Sequence, residues 1–167
     1  LDDMAATLTF MSGVVNRMRA YSRAAVGVSS RFDVTTAILA ALRQARVAFE
    51  PSIKIVRKPA SGSCIAFGDA AALQQVLVNL FLNAARAIKN SRQPGVLTIK
   101  TSRSLRKGVS IAVSDTGAGV LPEIRERLFQ PFFTTCREQG GTGLGLFVSR
   151  EIMQRQNGDL TLDAGTR

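Results

Sequence analysis

The chain has 167 residues, of which 46% are apolar and 20% charged, with no Trp and no His. That suffices for one domain with its own core plus an appendage, and it excludes a disordered chain. Lys and Arg total 22 against 12 Asp and Glu, a net charge of +10 that favours an anionic partner such as nucleic acid, a membrane surface or a phosphorylated small molecule.

Residues 1 to about 25 place Leu1, Met4, Leu8, Met11, Val15 and Met18 at steps of three and four, a seam of the coiled-coil kind that wants a partner helix. A plain amphipathic helix packed on the following domain fits the same pattern. Val26 to Ser30 then reads as a linker. Asp33 is a good N-cap for a helix to about Phe49, with Ile38, Leu42, Ala45 and Phe49 on one face and Pro51 beyond its end. Short strands follow over Ile53–Val56 and Cys64–Phe67. Asp69 caps a long helix to Asn90, in which Leu73, Val76, Leu77, Leu80, Phe81 and Ala84 recur with helical period.

After Pro94-Gly95, the runs 96–100 and 109–113 read as an antiparallel hairpin. Pro122 opens a short helix to Leu128, and a last helix spans about Thr142 to Gln156, capped by left-handed Asn157-Gly158. Leu160-Thr161-Leu162 begins a strand. Helices and strands without βαβ regularity predict an α+β fold, a mostly antiparallel sheet with helices on one face. The basic residues are scattered and carry no interleaved aromatics, which weakens a nucleic-acid reading. Cys64 and Cys136 fit no metal spacing or disulfide framework and read as reduced thiols of a cytosolic protein. No apolar run reaches the length of a bilayer span, and the start does not read as a signal peptide.

Three stretches carry chemistry. In the long helix, Asn79, Asn83, Arg86 and Asn90 fall at i, i+4, i+7 and i+11, a single polar stripe. Taken alone, it reads as a solvated face. The strand ending at Val113 runs into Ser114-Asp115-Thr116-Gly117-Ala118-Gly119, which sets a carboxylate beside glycine backbone that a flat ligand can approach. An aspartate there can accept from an exocyclic amino group such as that of adenine, although a plain tight turn has the same pattern. Gly140-Gly141-Thr142-Gly143-Leu144-Gly145-Leu146 opens the last helix, where amides at the positive end of the dipole suit phosphate. It lacks the Lys-Ser/Thr of a P-loop. Between the two glycine segments, Phe129, Phe132 and Phe133 sit in a long Pro-broken connection, either a functional lid or a loop anchored on the core.

In order and spacing, N-L-x-x-N-A, D-x-G-x-G, F-x-P-F-F-T-T and G-T-G-L-G-L resemble the N, G1, F and G2 boxes of sensor histidine kinases. The resemblance covers about residues 31–167 and implies the catalytic ATP-binding domain of the GHKL superfamily, with the Bergerat-type α/β sandwich. It divides the chain into 1–28, which resembles the second helix of a dimerisation and phosphotransfer bundle, and 29–167, the ATP-binding domain, expected to lack its last strand. It further implies ATP and Mg2+ as cofactors. Asn83 then resembles the magnesium-binding Asn. Asn79 occupies the place where gyrase-type ATPases carry a general-base glutamate; an amide takes no proton from water, which reserves the γ-phosphoryl group for a protein acceptor. Arg86 is placed for phosphates, and Asp115 for adenine, with Gly117 and Gly119 beside it. Gly141, Thr142, Gly143, Leu144, Gly145 and Leu146 would cradle phosphates, Phe132 would belong to the lid, and Thr166 would lie near adenine.

The chain departs from the family pattern in three places. It has no histidine to phosphorylate, so the acceptor is expected outside it. Ala87 stands where many relatives have an aromatic, and Cys136 stands where a Lys is frequent, leaving Arg137 to supply that charge. The resemblance implies a cytoplasmic domain that works with a His-containing bundle and a response regulator, in a full-length homodimer. The fragment itself, with so short an arm, is expected to be a monomer or weak dimer with no nucleic-acid or membrane contact. Two other readings compete: a degenerate nucleotide-binding module that docks or gates another kinase, and a turnover ATPase, which Asn79 disfavours.

Overall fold

The computed structural model describes residues 28–91, 94–104, 108–136 and 141–163. The N-terminal helix expected over 1–25, Arg137 and Thr166 lie outside them. The chain divides into two compact units, Val28–Val120 and a C-terminal unit from Leu121.

In the first unit, strand β1 (Ser30–Asp33) leads directly into helix α1 (Val34–Ala45). Asp33 caps that helix, its carboxylate accepting the Thr35 amide at 2.8 Å. Val34, Ala37, Ile38, Ala41 and Ala45 form the buried stripe. The helix expected to reach Phe49 tightens after Ala45 into a 3-10 turn, Arg46–Ala48. Strands β2 (Lys54–Lys58) and β3 (Ile65–Gly68) follow. Helix α2 (Ala70–Lys89) is capped by Asp69, which accepts from the amides of Ala71 and Ala72 at 2.8 and 3.1 Å. Strands β4 (Val96–Ser104) and β5 (Gly108–Asp115) form the expected hairpin, with Leu97 opposite Asp115 and Ser104 opposite Gly108.

The strands of the described residues make two sheets, β1-β3 and β2-β4-β5. In β4, Leu97, Ile99 and Thr101 are buried while Lys100 and Ser102 are exposed, the alternation of a sheet covered on one face. The cover is α2, which packs against β4, β5 and α1. The fold is thus α+β, with two features that the sequence pattern does not contain. Strand β2 pairs with β4 in parallel, Lys54 beside Val96, so the larger sheet is mixed and its crossover carries β3 and α2. Strand β1 is also unexpected, because it is short and polar and begins in what reads as a linker.

The core centres on α2. Phe81 is 0% exposed, with Leu77 and Leu97 also fully buried. Phe81→Ala is expected to cost about 3–5 kcal/mol through lost transfer energy and the cavity left behind, read as a lower urea midpoint with an unchanged slope.

The C-terminal unit begins with a 3-10 turn, Pro122–Arg127, passes through the phenylalanine-bearing segment, and continues into helix α3 (Gly145–Arg155). The left-handed cap is present: Asn157 has φ 57°, and the Gly158 amide donates to the Met153 carbonyl at 2.9 Å. The strand expected over Leu160–Leu162 is not formed. The Asp159 carboxylate takes the Leu160 amide at 2.8 Å, a local bond that competes with a ladder.

Candidate functional site

Helix α2 carries Asn79, Asn83 and Arg86 half-buried along one face, beside the stripe of Leu77, Phe81, Ala84 and Ile88 that enters the core. Asn90, the fourth member of the expected stripe, is the exposed C-cap. Asn83 and Arg86 thus set an amide and a guanidinium group three residues apart on this half-buried face.

The turn after β5 is built in detail. Asp115 is exposed at the strand end, and the Gly117 amide donates to its Oδ1 at 2.8 Å, leaving Oδ2 as the oxygen open to a ligand. The Thr116 amide donates to the Val96 carbonyl at 3.1 Å. The Thr116 hydroxyl donates to the Pro94 carbonyl at 2.8 Å and accepts the Val96 amide at 2.9 Å. A Cβ on Gly117 would lie 2.6 Å from both the carbonyl carbon and the Cβ of Ala87. The glycine is therefore required by the approach of α2, and not only by a ligand as the motif suggested. That approach seats the Asp115 turn against the helix one residue beyond Arg86. Thr116 is the residue that the motif alone passes over. Its signal is the hairpin register, which sets the D-x-G turn opposite Pro94-Gly95-Val96.

The glycine segment and the phenylalanines meet within the C-terminal unit. Gly143 has φ 67°, and a Cβ there would fall 2.3 Å from the Phe132 carbonyl carbon. The Gly141 amide donates to the Cys136 carbonyl at 2.9 Å and so is already committed within the protein. Thr142 and Leu144 are buried, and Gly145 and Leu146 open α3. Phe132 is 57% exposed and holds a left-handed φ of 64°, a strained backbone for a bulky residue. Arg127 lies over the Phe133 ring at 4.6 Å and Arg150 over the Phe129 ring at 5.0 Å, cation–π contacts that fix two of the three rings.

Arg150 also donates to Asp159 at 3.2 Å. The Leu160 amide and then Arg150 hold the Asp159 carboxyl below the ordinary aspartate range. A depressed carboxylate adds its stability above the unfolded value and loses it as pH falls through the folded one. NMR titration of Asp159 should show a low midpoint that rises in Arg150→Gln.

Among the described residues, no group of three or more His, Cys, Asp or Glu side chains could hold a metal ion. A hard cation would fit the α2 face only with most of its oxygens supplied by a bound phosphate chain and water. Nor is any helix of the described residues long and apolar enough to cross a membrane.

Residues 68–167 match the family described as histidine kinase-, DNA gyrase B-, and HSP90-like ATPase. The chain is 44% identical over 88 residues to the sensor histidine kinase ZraS of Escherichia coli O157:H7, a match over 53% of this chain and 18% of that protein. It is 29% identical over 158 residues to the C4-dicarboxylate transport sensor protein DctB of Rhizobium meliloti, over 93% of this chain and 24% of that one. It thus spans about a quarter or less of the length of these curated relatives. Among solved structures, the ATP-binding domain of PrrB from Mycobacterium tuberculosis superimposes with a TM-score of 0.62 at 26% identity, covering 82% of this chain and 88% of that one. With that match over residues 68–167, the chain belongs to the histidine kinase-, DNA gyrase B- and HSP90-like ATPases, as a catalytic ATP-binding domain.

Proposed function

We propose that this chain binds ATP with Mg2+ and transfers the γ-phosphoryl group to a histidine of a helical bundle outside residues 1–167, for relay to a response regulator. The observation that carries the reading is the seating of the Asp115 turn on α2 through Gly117 and Ala87, beside Arg86. Asp115 would accept the adenine amino group, Asn83 would offer an oxygen to the metal, and Arg86 would meet phosphate charge. The metal, when bound, would neutralise charge on the phosphate oxygens. Gly143, Gly145 and Leu146 would supply phosphate-side amides, with Phe132, Arg137 and Thr166 as further nucleotide contacts. In the transfer, a P–N bond to the imidazole forms as the P–O bond to ADP breaks.

Asn79 supports transfer over hydrolysis, because an amide does not act as a general base toward water. Residues 1–28 would be the second helix of the bundle, and 29–167 the ATP-binding domain. The test is radiolabel transfer from ATP to an added bundle, with and without its histidine. An acid-labile phosphate on the histidine-bearing bundle alone is expected, with no label on this chain. Nucleotide binding without transfer would support the docking-module alternative.

A further inference from the structure

We propose that Thr116 is a positioning residue for base recognition: through its hydroxyl it fixes the carboxylate that reads adenine. The inference rests on the adenine role proposed for Asp115. Asp115 is exposed and is the last residue of β5, where the ladder with β4 ends at the pair Leu97–Asp115. Its carboxylate is oriented by one bond, from the Gly117 amide to Oδ1 at 2.8 Å. That amide is a useful anchor only if the turn itself cannot move.

On one flank, Ala87 stops the turn from closing onto α2, since no Cβ fits at Gly117. On the other flank the restraint is Thr116. Its amide reaches the Val96 carbonyl, and its hydroxyl bridges the Pro94 carbonyl and the Val96 amide, at 2.8 and 2.9 Å. One side chain therefore holds two backbone groups of the segment entering β4. A hydroxyl is the chemistry this needs, since it donates and accepts at once. Valine has the same shape and does neither.

The experiment compares Thr116→Val, Thr116→Ser and Asp115→Asn in the full chain. It reads the ratio of affinities for a non-hydrolysable ATP analogue and for its counterpart lacking the 6-amino group, together with the melting temperature without nucleotide. Thr116→Val is expected to weaken the ATP analogue about tenfold, the scale of one to two lost hydrogen bonds, and the desamino analogue far less. Thr116→Ser should retain the preference. A merely structural hydroxyl would lower the melting temperature and leave the ratio intact, and that result would overturn the proposal. Loss of preference in Asp115→Asn with an intact ratio in Thr116→Val overturns the role of Thr116 alone. Preference surviving in Asp115→Asn overturns the adenine reading and this inference with it. Thr116 is half-buried and Pro94 exposed, so water can satisfy the backbone groups in the variants. Thr116→Ala provides a second variant for the same ratio should Thr116→Val not fold.

Discussion

Asp115→Asn is expected to weaken binding of a non-hydrolysable ATP analogue by about a hundredfold or more while leaving the fold intact. The asparagine keeps an oxygen for the Gly117 amide, so the turn is preserved. At the position of Oδ2 it places an NH2 group, a donor facing the donor of the adenine amino group. A charge-assisted bond worth about 1.5–3 kcal/mol is lost, and a polar group of the ligand is left without a partner, which costs a further 1–3 kcal/mol or so. Together these amount to at least about two powers of ten in Kd. Calorimetric titration checks the affinity and a thermal melt checks the fold. Affinity within threefold of the parent would remove Asp115 from adenine recognition.

The second large effect is one of stability. Gly143→Ala is expected to destabilise the C-terminal unit by about 2–5 kcal/mol. Roughly 1–2 kcal/mol comes from holding an L-residue at φ 67°. About 1–3 kcal/mol more comes from forcing a Cβ into the Phe132 carbonyl carbon, carbonyl oxygen and Phe133 amide, at 2.3, 2.6 and 2.7 Å. Gly108→Ala is the internal control. Gly108 has φ 71° but nothing among the described residues within 4 Å of the added carbon, so it should show the conformational cost alone. Hydrogen exchange localises the damage: the Gly141 amide, bonded to Cys136, should exchange faster in Gly143→Ala and not in Gly108→Ala. Equal losses in the two variants would show that the Phe132 approach contributes nothing.

Much of this molecule can be read locally. Asp33 and Asp69 cap helices because a carboxylate before an apolar-periodic run meets free amides whatever the tertiary context, and both do so here. The hairpin of β4 and β5 and the left-handed Asn157 are equally local. Some of the features that escape such a reading are set by pieces distant in the chain, and others by a local bond or backbone conformation that composition does not announce. The parallel pairing of β2 with β4 depends on a crossover that no short pattern encodes. The strand expected at Leu160 has the composition for pairing, but Asp159 captures the amide it would need. Gly117 is legible as a functional glycine for an incomplete reason, because two of the three atoms nearest its missing Cβ belong to Ala87 on another element and only the third, Asp115 Oδ1, to its own turn. The left-handed Phe132 carries no signal at all, since phenylalanine ordinarily avoids that region.

In the proposed function, the face of α2 and the turn at the end of β5 jointly receive ATP. A crystal structure of this chain with Mg2+ and a non-hydrolysable ATP analogue tests it most directly. The adenine amino group is expected within hydrogen-bond distance of the Asp115 carboxylate, with the metal on the amide oxygen of Asn83. A nucleotide bound with its base away from Asp115, or with its phosphates away from Asn83 and Arg86, would contradict it.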